Sequence, residues 1–172
     1  VTTSIQEAER VIDKNNLSVK LLTLKPFFDN SAYVDALVNS AHSELSEQFD
    51  HVLFSYHGLP ELHISNADPT GAHCLKSEHC CSTPSPAHAS CYRHQVLSTT
   101  DCFVEKAGLS PEQYTVAYQS RLGRAKWLEP STEETLVNLA QQGIKKILVL
   151  CPSFVTDCLE TLEEIDIKGR ET

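Results

Sequence analysis

HVLFSYHGLP, residues 51–60, decides how this chain folds. Its first six residues form a short apolar run without the strict polar alternation of a strand that has one wet face. Such a run fits a strand of a parallel sheet buried on both sides. Working outward, SVKLLTL (18–24), YTVAYQS (114–120) and KKILVL (145–150) also read as strands. Between them lie helical periods. Residues 2–16 place Ile5, Ala8, Val11 and Ile12 on one face, with Ser4 and Glu7 at capping-box spacing. Residues 31–48 align Val34, Leu37, Ala41 and Leu45. Further helices are expected over about 90–107, from a Ser131–Glu134 capping box to about 142, and from about 155 onward. Strands alternating with helices predict an α/β fold: a parallel four-stranded sheet with helices on both faces, in one domain over 1–172. The stretch 60–89 breaks the alternation. It holds four histidines, several prolines and no clear period, and reads as a Cys/His-rich loop inserted in the domain.

Composition narrows the class. A chain of 172 residues with 41% apolar content can bury a core without disulfide scaffolding. A formal charge of −9 argues against nucleic acid as a partner. No apolar run approaches the roughly 20 residues of a transmembrane segment. With no secretory signal, the expected compartment is the cytoplasm, with peripheral membrane association compatible with the pattern. The chain has no methionine and opens directly on VTTSIQEAER, so it reads as a piece of a longer protein.

In a wound parallel sheet, ligands bind beyond the carboxyl ends of the strands. Three polar segments fall there: Ser55 to Pro60, Gln119 to Trp127, and Cys151 to Cys158. His57 follows a strand directly, where an imidazole can serve as a base near neutral pH or as a metal ligand. Read as an α-helix, the last segment sets Val155, Leu159, Leu162 and Ile165 on one side and Asp157, Glu160 and Glu164 on the other. Ionised carboxylates in a row suit transient contact with a hard divalent metal or the acceptance of protons. The plainer readings are a hydrogen-bonded structural histidine and a solvated acidic face. Arg121 and Arg124 could hold a carboxylate substrate or simply be solvated, and Trp127 suits the core as readily as a planar ligand.

SYHGLP, YQSRLGRAKWLEPSTEETL and CPSFVTDCLETLEEID, in this order and spacing, resemble the second half of a ferrochelatase. The resemblance extends over nearly the whole chain and is least firm across the cysteine-rich loop. It implies an enzyme that inserts ferrous iron into a porphyrin to form haem. It further implies that His57 is the active-site histidine and Glu160 the essential acid, with Asp157 and Glu164 extending the acidic row for iron or protons. Gln119 and Trp127 would line the porphyrin cleft. Porphyrin and Fe²⁺ are then the substrates, and the N-terminal half of the same protein is the partner; this chain alone is expected to be inactive. One departure is Asp157-Cys158, where many members read Asp-His, so an iron-relay role for that histidine does not transfer.

CLKSEHCCSTPSPAHASC, residues 74–91, gathers four of the seven cysteines. The spacing lacks the paired C-x2-C knuckles of a zinc ribbon. A 2Fe–2S cluster, a structural zinc and unligated thiols all remain compatible with it. The resemblance favours the cluster, since some bacterial ferrochelatases carry one on cysteines of an internal loop. The implied ligands are Cys74, Cys80, Cys81 and Cys91, with Cys102 as a substitute and the adjacent Cys80-Cys81 pair the least comfortable element. Cys151 and Cys158 fall outside the set. A competing reading is an iron–sulfur or metal-binding sensor module on a chelatase-like fold.

Overall fold

A computed structural model describes residues 2–171 of the chain. Strand β1 (His51–His57) is central, flanked by β2 (Tyr114–Gln119) and β3 (Ile147–Leu150) in the order β2-β1-β3, with both pairings parallel. Residues 51–56 are all buried, as the unbroken apolar run requires. The register places His57 opposite Gln119 and Phe54 opposite Leu150, so the polar segments after β1 and β2 leave the sheet side by side.

The sheet has three strands rather than the expected four. Residues 18–24 run without ladder pairing, and Val19, Leu22 and Leu24 are exposed. An apolar alternation forms a strand only where it meets a sheet edge, and residues 18–24 pair with neither of the edge strands, β2 and β3.

Helices cover both faces. Side chains alternate along β1, so Phe54 and Tyr56 face one way and Ser55 the other. Helix α5 (Tyr92–Ala107) packs on the first face. The rings of Phe54 and Phe103 meet edge-to-face at 5.2 Å, and the hydroxyls of Tyr56 and Thr100 lie 2.8 Å apart. Helix α2 (Ser31–Ser40) packs against α5, with Val34 fully buried. It ends at Ala41, and a separate short turn, α3 (His42–Leu45), completes the stretch expected as one helix. Helix α6 (Thr132–Gln141) covers the other face, where Thr132 meets Ser55. Ser131 caps it as expected, its Oγ accepting the Glu134 amide, but the reciprocal half of the expected box is not made: the Glu134 carboxylate takes the Ser131 hydroxyl in place of the Ser131 amide. The other expected box is absent. Helix α1 (Thr2–Lys14) already includes Ser4, and Glu7 pairs instead with Arg10.

Two further elements depart from the sequence expectation. The 60–89 stretch begins with a short helix, α4 (Glu61–Asn66), anchored by buried Ile64. The last helix starts later than residue 155: it is a π-helix over Glu160–Lys168 that passes into α7 (Gly169–Glu171). Asp157 therefore precedes the helix. The i→i+5 hydrogen bonding of a π-helix also rotates its faces away from an α-helical wheel. Val155, Leu159 and Leu162, expected to share a packed side, are 86%, 72% and 50% exposed. Among the described residues no helix is long and apolar enough to cross a membrane.

Candidate active site

His57 ends β1 half-buried, with its ring 6.0 Å from that of Phe154 in the segment after β3. Its Nδ1 lies 2.6 Å from the carbonyl oxygen of Gly58. A carbonyl only accepts, so Nδ1 carries the proton and Nε2 keeps its lone pair in the neutral ring. That tautomer is the one a base at Nε2 needs.

Gly58 is required by close approach and not by the sharp turn its position suggests. Its amide donates to the Gln119 carbonyl at 2.8 Å, and a Cβ there would stand 2.7 Å from that same oxygen. It would also meet the indole of Trp127 at 3.3 Å. Trp127 is half-buried and donates Nε1–H to the Leu122 carbonyl at 3.2 Å.

Behind the strand ends lies a buried polar network that no local pattern signals. Ser55 donates to Gln119 Oε1 at 2.6 Å and so accepts from Thr132 at 2.7 Å. Gln119 Nε2 donates in turn to the Glu160 carbonyl at 2.9 Å, tethering the π-helix to β2. Next to it, Ser120 donates through both its amide and its hydroxyl to Glu164 Oε2, at 2.9 and 3.1 Å. Two consecutive residues thus hold Glu160 through its backbone and Glu164 through its carboxylate. Arg121 turns inward to the Leu128 carbonyl at 3.0 Å.

The site brings His57 and Glu160 within electrostatic reach of each other. The Glu160 carboxyl is held below its ordinary range first by its own backbone N–H, then by the Cys158 thiol, with a smaller contribution from His57. Glu164 lines a cleft of about 440 Å³ with Gln119, Ser120, Arg121 and Thr132. Asp157 lines a separate cleft of about 550 Å³ with Phe154, Thr161 and Leu37. The three acids therefore do not form one row. Cys151 at the end of β3 contacts Gln119 Oε1 at 3.7 Å, and burial pushes its thiol up to about 11.

The cysteine loop folds back beside this site. Asp68 organises its entry: its carboxylate accepts from the amides of Thr70, His73 and Cys74, each at 2.8 Å. Turns at 77–83 bring adjacent Cys80 and Cys81 to the same side, with their sulfurs 4.0 Å apart. Cys74, Cys80 and Cys91 are buried, and Cys74 and Cys91 belong to one core cluster. The hydrogen bond from Cys81 and that from Cys74 lower the Cys91 thiol to about 5, whereas burial and Cys91 raise that of Cys74 to about 12. Three histidines brace the pair: His73 Nε2 and His88 Nε2 reach the Cys80 carbonyl at 2.7 and 3.0 Å, and His94 Nδ1 reaches that of Cys81 at 2.9 Å. Cys102 lies on α5, half-buried and packed against the core. Among the described residues no three His, Cys, Asp or Glu side chains are arranged around a single metal ion. A two-iron cluster asks for something different, four thiolates shared between two irons; Cys74, Cys80, Cys81 and Cys91 lie in this one loop and at its exit, with the first, second and fourth buried.

The family model for ferrochelatase matches residues 1–172. This chain belongs to the ferrochelatase family. It is 56% identical over 171 residues to the ferrochelatase of Stutzerimonas stutzeri (strain A1501), and 56% identical over the same length to that of Ectopseudomonas mendocina (strain ymp). It is 50% identical over 172 residues to the ferrochelatase of Azotobacter vinelandii. Each alignment covers 99% of this chain and 50–51% of the relative, so the chain spans about half the length of these ferrochelatases.

Proposed function

We propose that this chain is the C-terminal half of a cytoplasmic ferrochelatase that inserts Fe²⁺ into a porphyrin to form haem. The observation that carries the reading is His57 at the carboxyl end of β1 opposite Gln119, whose amide holds the Glu160 carbonyl, within a family match over residues 1–172. A free-base porphyrin must shed two pyrrole protons as the metal enters. His57 accepts one at a time at Nε2, the nitrogen left free by the Nδ1 contact with Gly58, and passes the first on before taking the second. Glu160, held ionised, meets the iron or passes protons onward, with Asp157 and Glu164 contributing carboxylates from their separate clefts. Trp127 and Gln119 border the porphyrin. Gln119 acts from behind, because its amide is engaged by Ser55 and the Glu160 carbonyl. The other half of the protein completes the apolar cleft, so this chain alone is inactive.

In the same reading Cys74, Cys80, Cys81 and Cys91 hold a 2Fe–2S cluster. Bound there, it supplies a one-electron centre and a covalent brace for the loop. The deciding experiment uses the full-length parent with protoporphyrin and Fe²⁺. Haem formation is expected to fall by at least a hundredfold in His57→Ala and in Glu160→Ala, the lower end of what a positioned acid–base group contributes (about 10²–10⁴). Near-parental turnover in both variants overturns the assignment. A sensor module would instead show no turnover in the parent and a cluster signal indifferent to both changes.

A further inference from the structure

Four consecutive residues at the start of α5, Cys91 as its N-cap and then Tyr92, Arg93 and His94, reach towards the cysteine loop and the site. Cys91 is buried in the same core cluster as Cys74. Tyr92 donates its hydroxyl proton to the His57 carbonyl at 2.8 Å, and so receives the Ser153 hydroxyl at 3.0 Å. Arg93 sets a guanidinium nitrogen 3.7 Å from Cys80 Sγ. His94 reaches the Cys81 carbonyl.

We propose that Tyr92 is a positioning residue for His57, and that its placement carries the state of the cysteine set to the iron-insertion site. The inference rests on the reading of His57 given above. The sheet itself leaves a vacancy that Tyr92 fills. The ladder between β1 and β3 stops with Phe54 opposite Leu150, so the end of β1 has no β3 partner, and His57 pairs only towards Gln119. On the open side the Tyr92 hydroxyl supplies the bond that a neighbouring strand would have made. Its phenol is tied in turn to Ser153, in the segment that follows β3.

The sending end is equally constrained. Cys91 immediately precedes α5, its amide donating to Ala87 at 2.9 Å and its carbonyl accepting from Gln95 at 3.1 Å. A thiol pulled into place by its neighbours sets the angle of this first turn, and Tyr92 is the next residue along. A cysteine set held together keeps the phenol on the His57 carbonyl. Released, it lets the turn shift and leaves the end of β1 unsupported.

The test uses the full-length parent with its cysteine loop loaded, and compares Tyr92→Phe, Cys91→Ser and the double variant. Since Cys91→Ser alters the helix start itself, Cys74→Ser provides a second way to disturb the set. Two readouts are taken: kcat and KM for iron insertion, and amide hydrogen exchange over residues 55–60. Tyr92→Phe is expected to keep the visible cluster absorption and a porphyrin KM within twofold. Its kcat should fall about three- to tenfold, the size of one lost hydrogen bond, and exchange at 57–59 should quicken. Both cysteine variants should quicken the same amides, and the double variant should add nothing further there. Unchanged exchange and kcat in Tyr92→Phe, or summed effects in the double variant, overturn the proposal. A parent that turns over no iron defeats the functional reading alone, because the exchange comparison still decides the coupling.

Discussion

At the scale of single residues, the site is set by what lies behind it. Gly58 stands so close to β2 that an alanine there would press its methyl carbon against the Gln119 carbonyl at 2.7 Å. A backbone oxygen in a ladder cannot swing aside. Gly58→Ala should therefore cost about 1–3 kcal/mol, seen as a lower urea midpoint. An unchanged midpoint would mean that β2 yields more easily than its pairing suggests. Ser55 is the second such position, because one hydroxyl serves both Gln119 and Thr132. Ser55→Ala strands buried polar groups and should cost about 1–3 kcal/mol. Neither effect could be read from the chain itself. His57 and Glu160 announce themselves by chemistry and by position after a strand or within an acidic segment, whereas a buried serine inside an apolar strand carries no local sign of its partners.

At the scale of elements, winding and pairing decided what composition left open. Strands 51–57, 114–119 and 147–150 were legible because short apolar runs bounded by polar segments have few other uses in a wound fold. Residues 18–24 carry the same pattern but occupy no sheet edge. The carboxylates at 157–164 looked like one stripe under α-helical spacing, and the π-helix separates them. One joint between elements is open to a pH test. The Asp50 carboxylate accepts the amides of Lys145 and Lys146, both at 2.9 Å, tying the start of β1 to the approach to β3. Those two backbone bonds hold its pKa below the ordinary value of about 3.9. A depressed carboxyl stabilises the fold fully above that ordinary value and loses its contribution as pH falls through the folded one. Asp50→Asn should thus lower the denaturation midpoint at pH 7, and the gap to the parent should close as pH falls below the ordinary carboxylate value and through the depressed one. A gap independent of pH would refute the linkage. The cysteine loop offers a separate measurement. Protein purified without oxygen should contain about two irons and two sulfides per chain, with a visible absorption lost in Cys80→Ser. A colourless, sulfide-free sample after reconstitution would remove the cluster.

At the scale of the whole molecule, the chain is half of something larger in its relatives, and its surface agrees. Val155, Leu159, Leu162 and Leu122 stand exposed close to the candidate site in sequence, and Leu22, Leu24 and Phe27 are exposed along the unpaired segment. If the other half of the protein covers the first group, the two halves expressed together should co-purify and recover iron insertion. Replacing Leu159 and Leu162 by Asp should then abolish both. Iron insertion by this chain alone would contradict the shared cleft. The sequence by itself determined the α/β class, the central strand, the family and the chemical identity of His57, Glu160 and the four loop cysteines, because each depends on short-range pattern or residue type. Only the tertiary structure decided which strands pair, how the last helix winds, why Gly58 must be glycine, and that Tyr92 joins the cysteine loop to His57. These depend on contacts between residues far apart in the chain, and the free energy of such contacts belongs to the packed assembly and to no segment of it.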